Sequence, residues 1–187
     1  MRLFVAVELT DALRAELGRL IEDLRRPAPG LRWARPEQIH LTLKFLGEVE
    51  EARVAAISER LLGAVSAVPG GFTVHARGVG TFGGREPRVV WAGIEGPEPP
   101  LAALSEAVEE ASRAEGFAPE ERAFKPHLTL ARVKQPSRGL REALREHQGR
   151  ELGRFPVRAC ALFQSLLGPE GSSYVRLREF PLQGSGG

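Results

Sequence analysis

Cysteine is nearly absent from this chain of 187 residues, which contains Cys160 alone. One cysteine cannot form an internal disulfide, and it cannot supply the several thiolates of a structural zinc cluster. Because Cys160 stands in the strand-like run FPVRACALF, we expect a small core residue there rather than a nucleophile.

Long apolar runs are absent as well. None approaches the roughly 20 residues that a membrane-spanning helix requires, and the opening MRLFVAVELT lacks the basic-then-apolar layout of a signal peptide. We therefore expect a cytoplasmic protein. A large excess of either charge is also missing, since the net charge is +2. That excess is too small to predict nucleic-acid binding by itself, although it permits an anionic ligand.

The tetrapeptide His-Leu-Thr-Leu occurs twice, at residues 40–43 and 127–130. Side chains alternate along a strand, so each His is expected to share one face with its Thr. Imidazole has the side-chain pKa nearest neutral pH, and two imidazoles can supply one proton donor and one acceptor. The repeat predicts an acid–base site; the alternative is a pair of partly buried strand histidines.

Apolar periodicity predicts alternating strands and helices around these two strands. Thr10 is a predicted N-cap for a helix that ends at the Pro27–Gly30 stretch. Further helices are expected at residues 50–68, after Pro99 and Pro100, and at 138–147. Strands are expected at residues 2–9, 72–79, 89–94, 155–166 and 174–180.

The order helix, histidine strand, helix, strand, strand is roughly repeated along the chain. A duplicated pattern of this kind predicts an α+β fold with two lobes related by a pseudo-two-fold axis. Each lobe would pair a small antiparallel sheet with outer helices, and the two histidine strands would face each other across a central cleft. We expect residues 1–187 to form this single bilobal domain, because 187 residues fit one domain or two small packed lobes.

A phosphodiester suits such a cleft best. In-line hydrolysis needs one base to activate water and one acid to protonate the departing oxygen, which are the roles open to His40 and His127. The hydroxyl groups of Thr42 and Thr129 would donate to the non-bridging phosphate oxygens.

These residues resemble the 2H phosphoesterase superfamily, and within it the bacterial and archaeal RNA 2',3'-cyclic phosphodiesterases, also called 2'-5' RNA ligases. The similarity runs from the opening RLFVAVEL through IHLTLKFLGEV and KPHLTLARV to the closing YVRLREFPL. The resemblance implies the bilobal fold, hydrolysis of a 2',3'-cyclic phosphate to a 2'-phosphate, and reversible 2'-5' ligation as a side activity. It implies no metal and no cofactor, with His40 as the general acid and His127 as the base.

The resemblance also extends each motif, to Phe45 near the terminal nucleoside and Arg132 on the phosphate. Strict alternation contradicts both roles, because it places each residue on the Leu face of its strand. Phe45 could equally be plain core, whereas a charged Arg132 is unsuited to an unpaired core position. A β-bulge or a strand end would turn either side chain towards the histidine face.

Several other residues carry weaker signals. Alternation places Lys44 on the histidine face, so Lys44 and Lys125 are secondary phosphate contacts or solvated strand-edge lysines. His75 and His147 lack a following Thr, and we expect no role for them. The two tryptophans, Trp33 and Trp91, are expected in the core or the cleft wall, with base stacking as the alternative.

The expected partner is RNA with a 2',3'-cyclic phosphate end, bound by a monomer without a membrane. Two alternatives stay open: a cyclic phosphodiesterase that acts on small cyclic nucleotides, and a nucleotide- or RNA-binding module without turnover. A metallohydrolase is disfavoured, because no third His or clustered carboxylate stands at ligand spacing near either motif.

Overall fold

A computed structural model describes residues 1–95, 98–135, 137–168 and 171–185. The helices are α1 (Asp11–Arg25), α2 (Val54–Val65), α3 (Glu98–Ala114) and α4 (Leu140–Glu146), with 3-10 turns at Pro36–Gln38 and Glu51–Arg53. The strands are β1 (Arg2–Val7), β2 (Arg32–Trp33), β3 (Leu41–Glu48), β4 (Phe72–Phe82), β5 (Val89–Glu95), β6 (His127–Arg132), β7 (Glu151–Val157), β8 (Ala159–Gly168) and β9 (Gly171–Pro181). Across these ranges, no helix is long and apolar enough to cross a membrane.

The strands form two antiparallel sheets, and this confirms the expected fold class. One sheet has four strands in the order β3-β1-β8-β9, and the other has five in the order β2-β6-β5-β4-β7. Helices α2 and α3 pack together near β9 and β3, whereas α1 and α4 pack together near β7. Each histidine motif lies in a different sheet, on β3 and β6, and these two strands are neighbours.

Helix α1 forms where the apolar spacing predicts it. Thr10 accepts a hydrogen bond from the Leu13 N–H at 3.4 Å, which satisfies one of the N–H groups that a helix leaves without an internal partner. The side chains that repeat at helical spacing are all buried: Leu13, Leu17, Leu20, Ile21 and Leu24. Burying each one stabilises the fold by about 1.5–3 kcal/mol.

One predicted strand is wrong. Residues 155–166 form parts of two strands, β7 in the five-stranded sheet and β8 in the four-stranded sheet, and the chain passes between the sheets at Arg158. The sequence has no glycine or turn signal at the point where the chain changes sheets. Buried residues such as Phe155, Val157 and Cys160 continue on both sides of Arg158, so the run reads as one strand. Most predicted boundaries shift by a few residues. Helix α2 ends at Val65, for example, and α3 begins at Glu98, with the two prolines in its first turn, where a missing N–H costs nothing.

Candidate active site

A β-bulge in β3 decides which face each residue of the first motif occupies. Thr42 pairs with Ala6 and Phe45 pairs with Phe4, and a register shift on β1 between Val5 and Ala6 leaves one extra residue on β3. The partners Ala6 and Phe4 lie together in one apolar cluster, so Thr42 and Phe45 share that face. Phe45 is 61% exposed, which excludes the core alternative.

The same bulge overturns the expectation for Lys44. Its side chain points to the opposite face, where it is 3% exposed, so it is neither a phosphate contact nor a solvated edge lysine. Lys44 Nζ lies 2.8 Å from Glu109 Oε2 and 3.7 Å from Glu120 Oε1, and it donates to the Ala118 carbonyl at 2.8 Å. Strict alternation failed because it assumes an unbroken ladder.

A second bulge does the same in β6. Thr129 pairs with Trp91 and Arg132 pairs with Val89, with a register shift between Val90 and Trp91. Leu130 and Ala131 are consecutive and both buried, so Arg132 returns to the face of His127 and Thr129 and is exposed. The sequence left open whether a bulge turns these residues towards the histidine face, and the structure has such a bulge in both motifs.

Both imidazole rings are held by the same backbone contact. His40 Nδ1 lies 3.1 Å from the Gln38 carbonyl oxygen, and His127 Nδ1 lies 2.7 Å from the Lys125 carbonyl oxygen. A carbonyl can only accept, so each Nδ1 donates its proton and Nε2 is left as the nitrogen that can exchange a proton with a ligand. In both motifs the carbonyl belongs to the residue two positions before the histidine. Because the contact is made by the backbone, the pattern of side chains in the sequence does not predict it.

His40 lies among aromatic rings on the four-stranded sheet. Its ring centroid is 4.7 Å from that of Phe163, 5.4 Å from that of Tyr174 and 6.0 Å from that of Phe4. Burial lowers the pKa of His40 because it disfavours the imidazolium, and the hydrogen bond to the Gln38 carbonyl opposes this shift. Arg14 also lowers the pKa of His40, and Glu8 raises it.

His127 has a different environment on the five-stranded sheet. The Phe82 ring meets it edge-on, with centroids 4.8 Å apart, and Phe82 in turn contacts Trp91 at 5.5 Å. Trp91 lies on the His127 face because it pairs with Thr129. It is therefore a wall residue of this face, whereas Trp33 packs against the main core.

The remaining candidates are structural. His75 Nε2 is hydrogen-bonded to a carboxylate oxygen of Glu151, and His147 Nδ1 lies 3.4 Å from an Arg150 nitrogen. Cys160 is buried, as expected, and burial raises the pKa of its thiol to about 12. A groove of about 620 Å³ between α1 and residues 29–36 contains neither motif. In the part of the chain that is described, no three His, Cys, Asp or Glu side chains are grouped closely enough to hold one metal ion.

Two antiparallel sheets with outer helices and one His-x-Thr motif on each sheet define the 2H phosphoesterase class. A family model described as the 2'-5' RNA ligase superfamily matches residues 10–168, and the chain belongs to that superfamily. The resemblance inferred from the two tetrapeptides is thereby confirmed.

Similar proteins cover nearly the whole chain. A protein of Archaeoglobus fulgidus is 38% identical over 181 residues, 96% of this chain and 99% of the relative. One of Thermus thermophilus is 36% identical over 198 residues, 100% of this chain and 93% of the relative. Both are named RNA 2',3'-cyclic phosphodiesterase. These relatives identify the chain as an enzyme.

Solved structures agree with the sequence relatives. A crystal structure of a Thermus thermophilus protein superposes with a TM-score of 0.81 at 33% identity, covering 98% of this chain and 99% of that one. Escherichia coli LigT complexed with 3'-AMP superposes with a TM-score of 0.76 at 26% identity, covering 97% of each chain.

Proposed function

We propose that this chain hydrolyses the 2',3'-cyclic phosphate at an RNA end to a 2'-phosphate, with His40 and His127 as an acid–base pair and without a metal ion. The observation that carries the proposal is a hydrogen bond that both motifs share. In each motif a backbone carbonyl accepts from Nδ1 of the histidine, which leaves Nε2 for the reaction. The shared name of the relatives supports the substrate class, and the complex of LigT with 3'-AMP supports a nucleotide ligand.

The proposed cleft lies between the histidine faces of the two sheets. The adjacency of β3 and β6 supports it. Thr42 and Thr129 stand on these faces and would donate to the non-bridging oxygens. Arg132 would bind the same phosphate, and the exposed ring of Phe45 would stack against the terminal base.

The proposed reaction moves two protons. His127 Nε2 accepts a proton from water as the water oxygen forms a bond to phosphorus, and the bond between phosphorus and the ribose O3' breaks. His40 Nε2 donates its proton to O3', which leaves a 2'-phosphate. Ligation uses the same pair, with the 5'-hydroxyl of a second RNA in place of water.

A bound substrate would favour the protonated form of His40. Its aromatic surroundings lower the pKa of His40 and favour neutral imidazole in the unliganded protein. A phosphodiester anion beside the ring favours the imidazolium, since an opposite charge within about 4–6 Å stabilises the charged form. Substrate binding would therefore charge the acid at the position where it acts.

Product analysis tests the function. Purified protein is incubated with a cyclic-phosphate-ended oligonucleotide, with and without chelator, and a 2'-phosphomonoester is expected in both samples. A 3'-phosphate product, or activity that a chelator abolishes and a divalent ion restores, contradicts the proposal. Binding without turnover supports the non-catalytic module instead, and turnover of mononucleotides alone supports a small-nucleotide enzyme.

A substrate with sulfur at the 3' bridging position tests the two roles. A thiolate leaves without protonation, so the general acid is not needed for this substrate. His40→Ala should recover much of its lost rate on the sulfur substrate, and His127→Ala should not. The reverse result would exchange the two roles.

A further inference from the structure

Two arginines stand directly opposite each other at one edge of the five-stranded sheet. Arg32 on β2 pairs with Arg132 on β6. Side chains of directly opposite residues share a face and have Cβ atoms about 4.5–5.5 Å apart, and like charges placed so are destabilising. The pair therefore weakens the sheet unless an anion occupies the space between the two guanidinium groups.

In the part of the chain that the structure describes, no acidic side chain neutralises this pair. Both arginines are exposed, and neither forms an ion pair with any residue in the described ranges. Other arginines of the chain are paired: Arg150 Nη1 lies 2.6 Å from Asp23, and Arg176 Nη1 lies 2.8 Å from Glu8. Ion pairs thus form at other arginines, and in the described residues the Arg32–Arg132 edge has none.

The pair is continuous with the candidate active site. The bulge in β6 places Arg132 on the face of His127 and Thr129, so Arg32, its partner in register, lies on that face too. The guanidinium of Arg32 reaches the other sheet at Gly171, the first residue of β9. A Cβ atom built on Gly171 would lie 3.5 Å from Arg32 Nη2. Arg32 therefore spans from one histidine-bearing sheet to the other, beyond Arg132.

We infer that Arg32 binds the RNA phosphodiester one nucleotide upstream of the cyclic phosphate, next to the reacting phosphate on Arg132. This inference rests on the proposed function. Guanidinium groups bind phosphate through paired N–H donors, and an RNA strand presents a second phosphate beside the first, whereas a cyclic mononucleotide has only one. Arg32 would make the enzyme prefer RNA ends to mononucleotides.

The first experiment compares two substrates, a 2',3'-cyclic mononucleotide and a dinucleotide with the same cyclic end. Arg32→Ala should lower the ratio of their kcat/KM values, dinucleotide over mononucleotide, roughly tenfold, as expected for one lost charged contact. Arg132→Ala should lower both rates. Arg145→Ala is the matched control, an exposed arginine on outer helix α4, and should leave the ratio unchanged.

Salt dependence provides a second readout. Each phosphate contact on a single strand contributes a slope of about −0.7 to the logarithm of affinity against the logarithm of salt concentration. For the dinucleotide, Arg32→Ala should make this slope shallower by about that amount. An unchanged substrate ratio with an unchanged slope overturns the inference.

Equilibrium binding separates this inference from the proposed function. The ligands are a dinucleotide and a mononucleotide with a terminal 2'-phosphate, and inorganic phosphate, measured with wild type and Arg32→Ala. Loss of preference for the dinucleotide supports the upstream contact even if neither cyclic substrate is hydrolysed, a result that would defeat only the proposed function. An equal loss for all three ligands places Arg32 on a free phosphate and overturns the inference.

Thermal melting excludes a purely structural role. If Arg32 held the start of β9 at Gly171, Arg32→Ala would lower the melting temperature. Relief of the like-charge pair should instead leave the melting temperature unchanged or raise it. A clear drop, with the substrate ratio unchanged, would assign Arg32 to folding.

Discussion

The two histidine motifs share a backbone design and differ in what surrounds it. In both, a carbonyl two residues earlier holds Nδ1, and a bulge brings the fifth residue after the histidine back to the histidine face. On the four-stranded sheet that fifth residue is Phe45, and His40 lies among aromatic rings. On the five-stranded sheet it is Arg132, with a second arginine beside it.

Because of this difference, one local design presents two kinds of surface. An exposed aromatic ring beside Phe4 offers a flat apolar surface, which suits a nucleobase. An unpaired guanidinium offers fixed N–H donors, which suit a phosphate. The backbone holds Nδ1 of the histidine in both sheets, and the fifth residue after the histidine differs between them.

Removing either imidazole should have the largest effect. A general acid or base contributes about 10²–10⁴-fold, so His40→Ala and His127→Ala should each lose most of the turnover of a cyclic-phosphate end. The double variant should lose far less than the product of the two single losses, because the groups act in one step. Single-turnover rates measure this, and a strictly multiplicative loss would contradict a common step.

Removing the guanidinium of Arg132 should come next. Arg132→Ala should lower turnover roughly 10- to 100-fold, the value of one or two charge-assisted hydrogen bonds. Its free energy of unfolding should change by no more than about 0.5 kcal/mol, since the side chain is exposed. Kinetics and thermal melting on the same samples check both parts, and a large loss of stability with normal turnover would make Arg132 a structural residue.

Substituting Lys44 should change the free energy of unfolding rather than turnover, because the bulge places its side chain in the interior. Lys44→Met would leave Glu109 without its cation, and breaking such a pair costs up to about 3 kcal/mol. Lys134→Met, at an exposed lysine, should cost almost nothing. Adding Glu109→Gln to Lys44→Met should restore part of the loss, because no carboxylate is left uncompensated. Denaturant titration measures these differences, and a loss of turnover without a loss of stability would return Lys44 to the active site.

The pH dependence of the Lys44 contribution has a defined sign. Burial raises the pKa of Glu109, but the hydrogen bonds from Lys44 and the Glu120 N–H, together with the charges of Lys44 and Arg113, outweigh it, so the pKa is lowered. The pair therefore stabilises the fold above the ordinary carboxyl pKa of about 4.3, and this stability is lost as the pH falls through the lowered value. Lys44→Met should weaken this dependence, because the hydrogen bond from the Glu120 N–H and the charge of Arg113 remain.

Phe45 should matter for binding and little for folding. Phe45→Ala should raise the Michaelis constant by the equivalent of about 1–3 kcal/mol, the value of one base-stacking contact. Its stability should change little, whereas Phe155→Ala, at a side chain that is 1% exposed, should cost about 3–5 kcal/mol. A melting drop for Phe45→Ala without a change in the Michaelis constant would end the stacking proposal.

Local features of this molecule could be predicted from sequence, and features set by distant partners could not. The Thr10 cap and the apolar stripe of α1 depend on neighbouring residues, and the structure has both. The face of the sheet that Lys44 occupies depends on the register in which β1 pairs with β3. The strand break at Arg158 depends on the pairing of β7 and β8 with different sheets. Tyr174 reaches His40 from the far end of the chain, and no spacing reveals that contact.

The smallest expected effect concerns the proton on His40. Burial lowers its pKa, so the unfolded chain binds this proton more readily, and the contribution of His40 to stability should decline as the pH falls below about 6.5. Arg14 also lowers the pKa of His40, and Arg14→Gln should therefore raise it, whereas Arg19→Gln, elsewhere on α1, should not. Titration of the His40 ring proton by NMR measures both variants. Because His40 is the proposed acid, Arg14→Gln should also extend the alkaline limb of kcat/KM to higher pH. An NMR shift without any movement of that limb would mean that His40 is not the acid of the free enzyme.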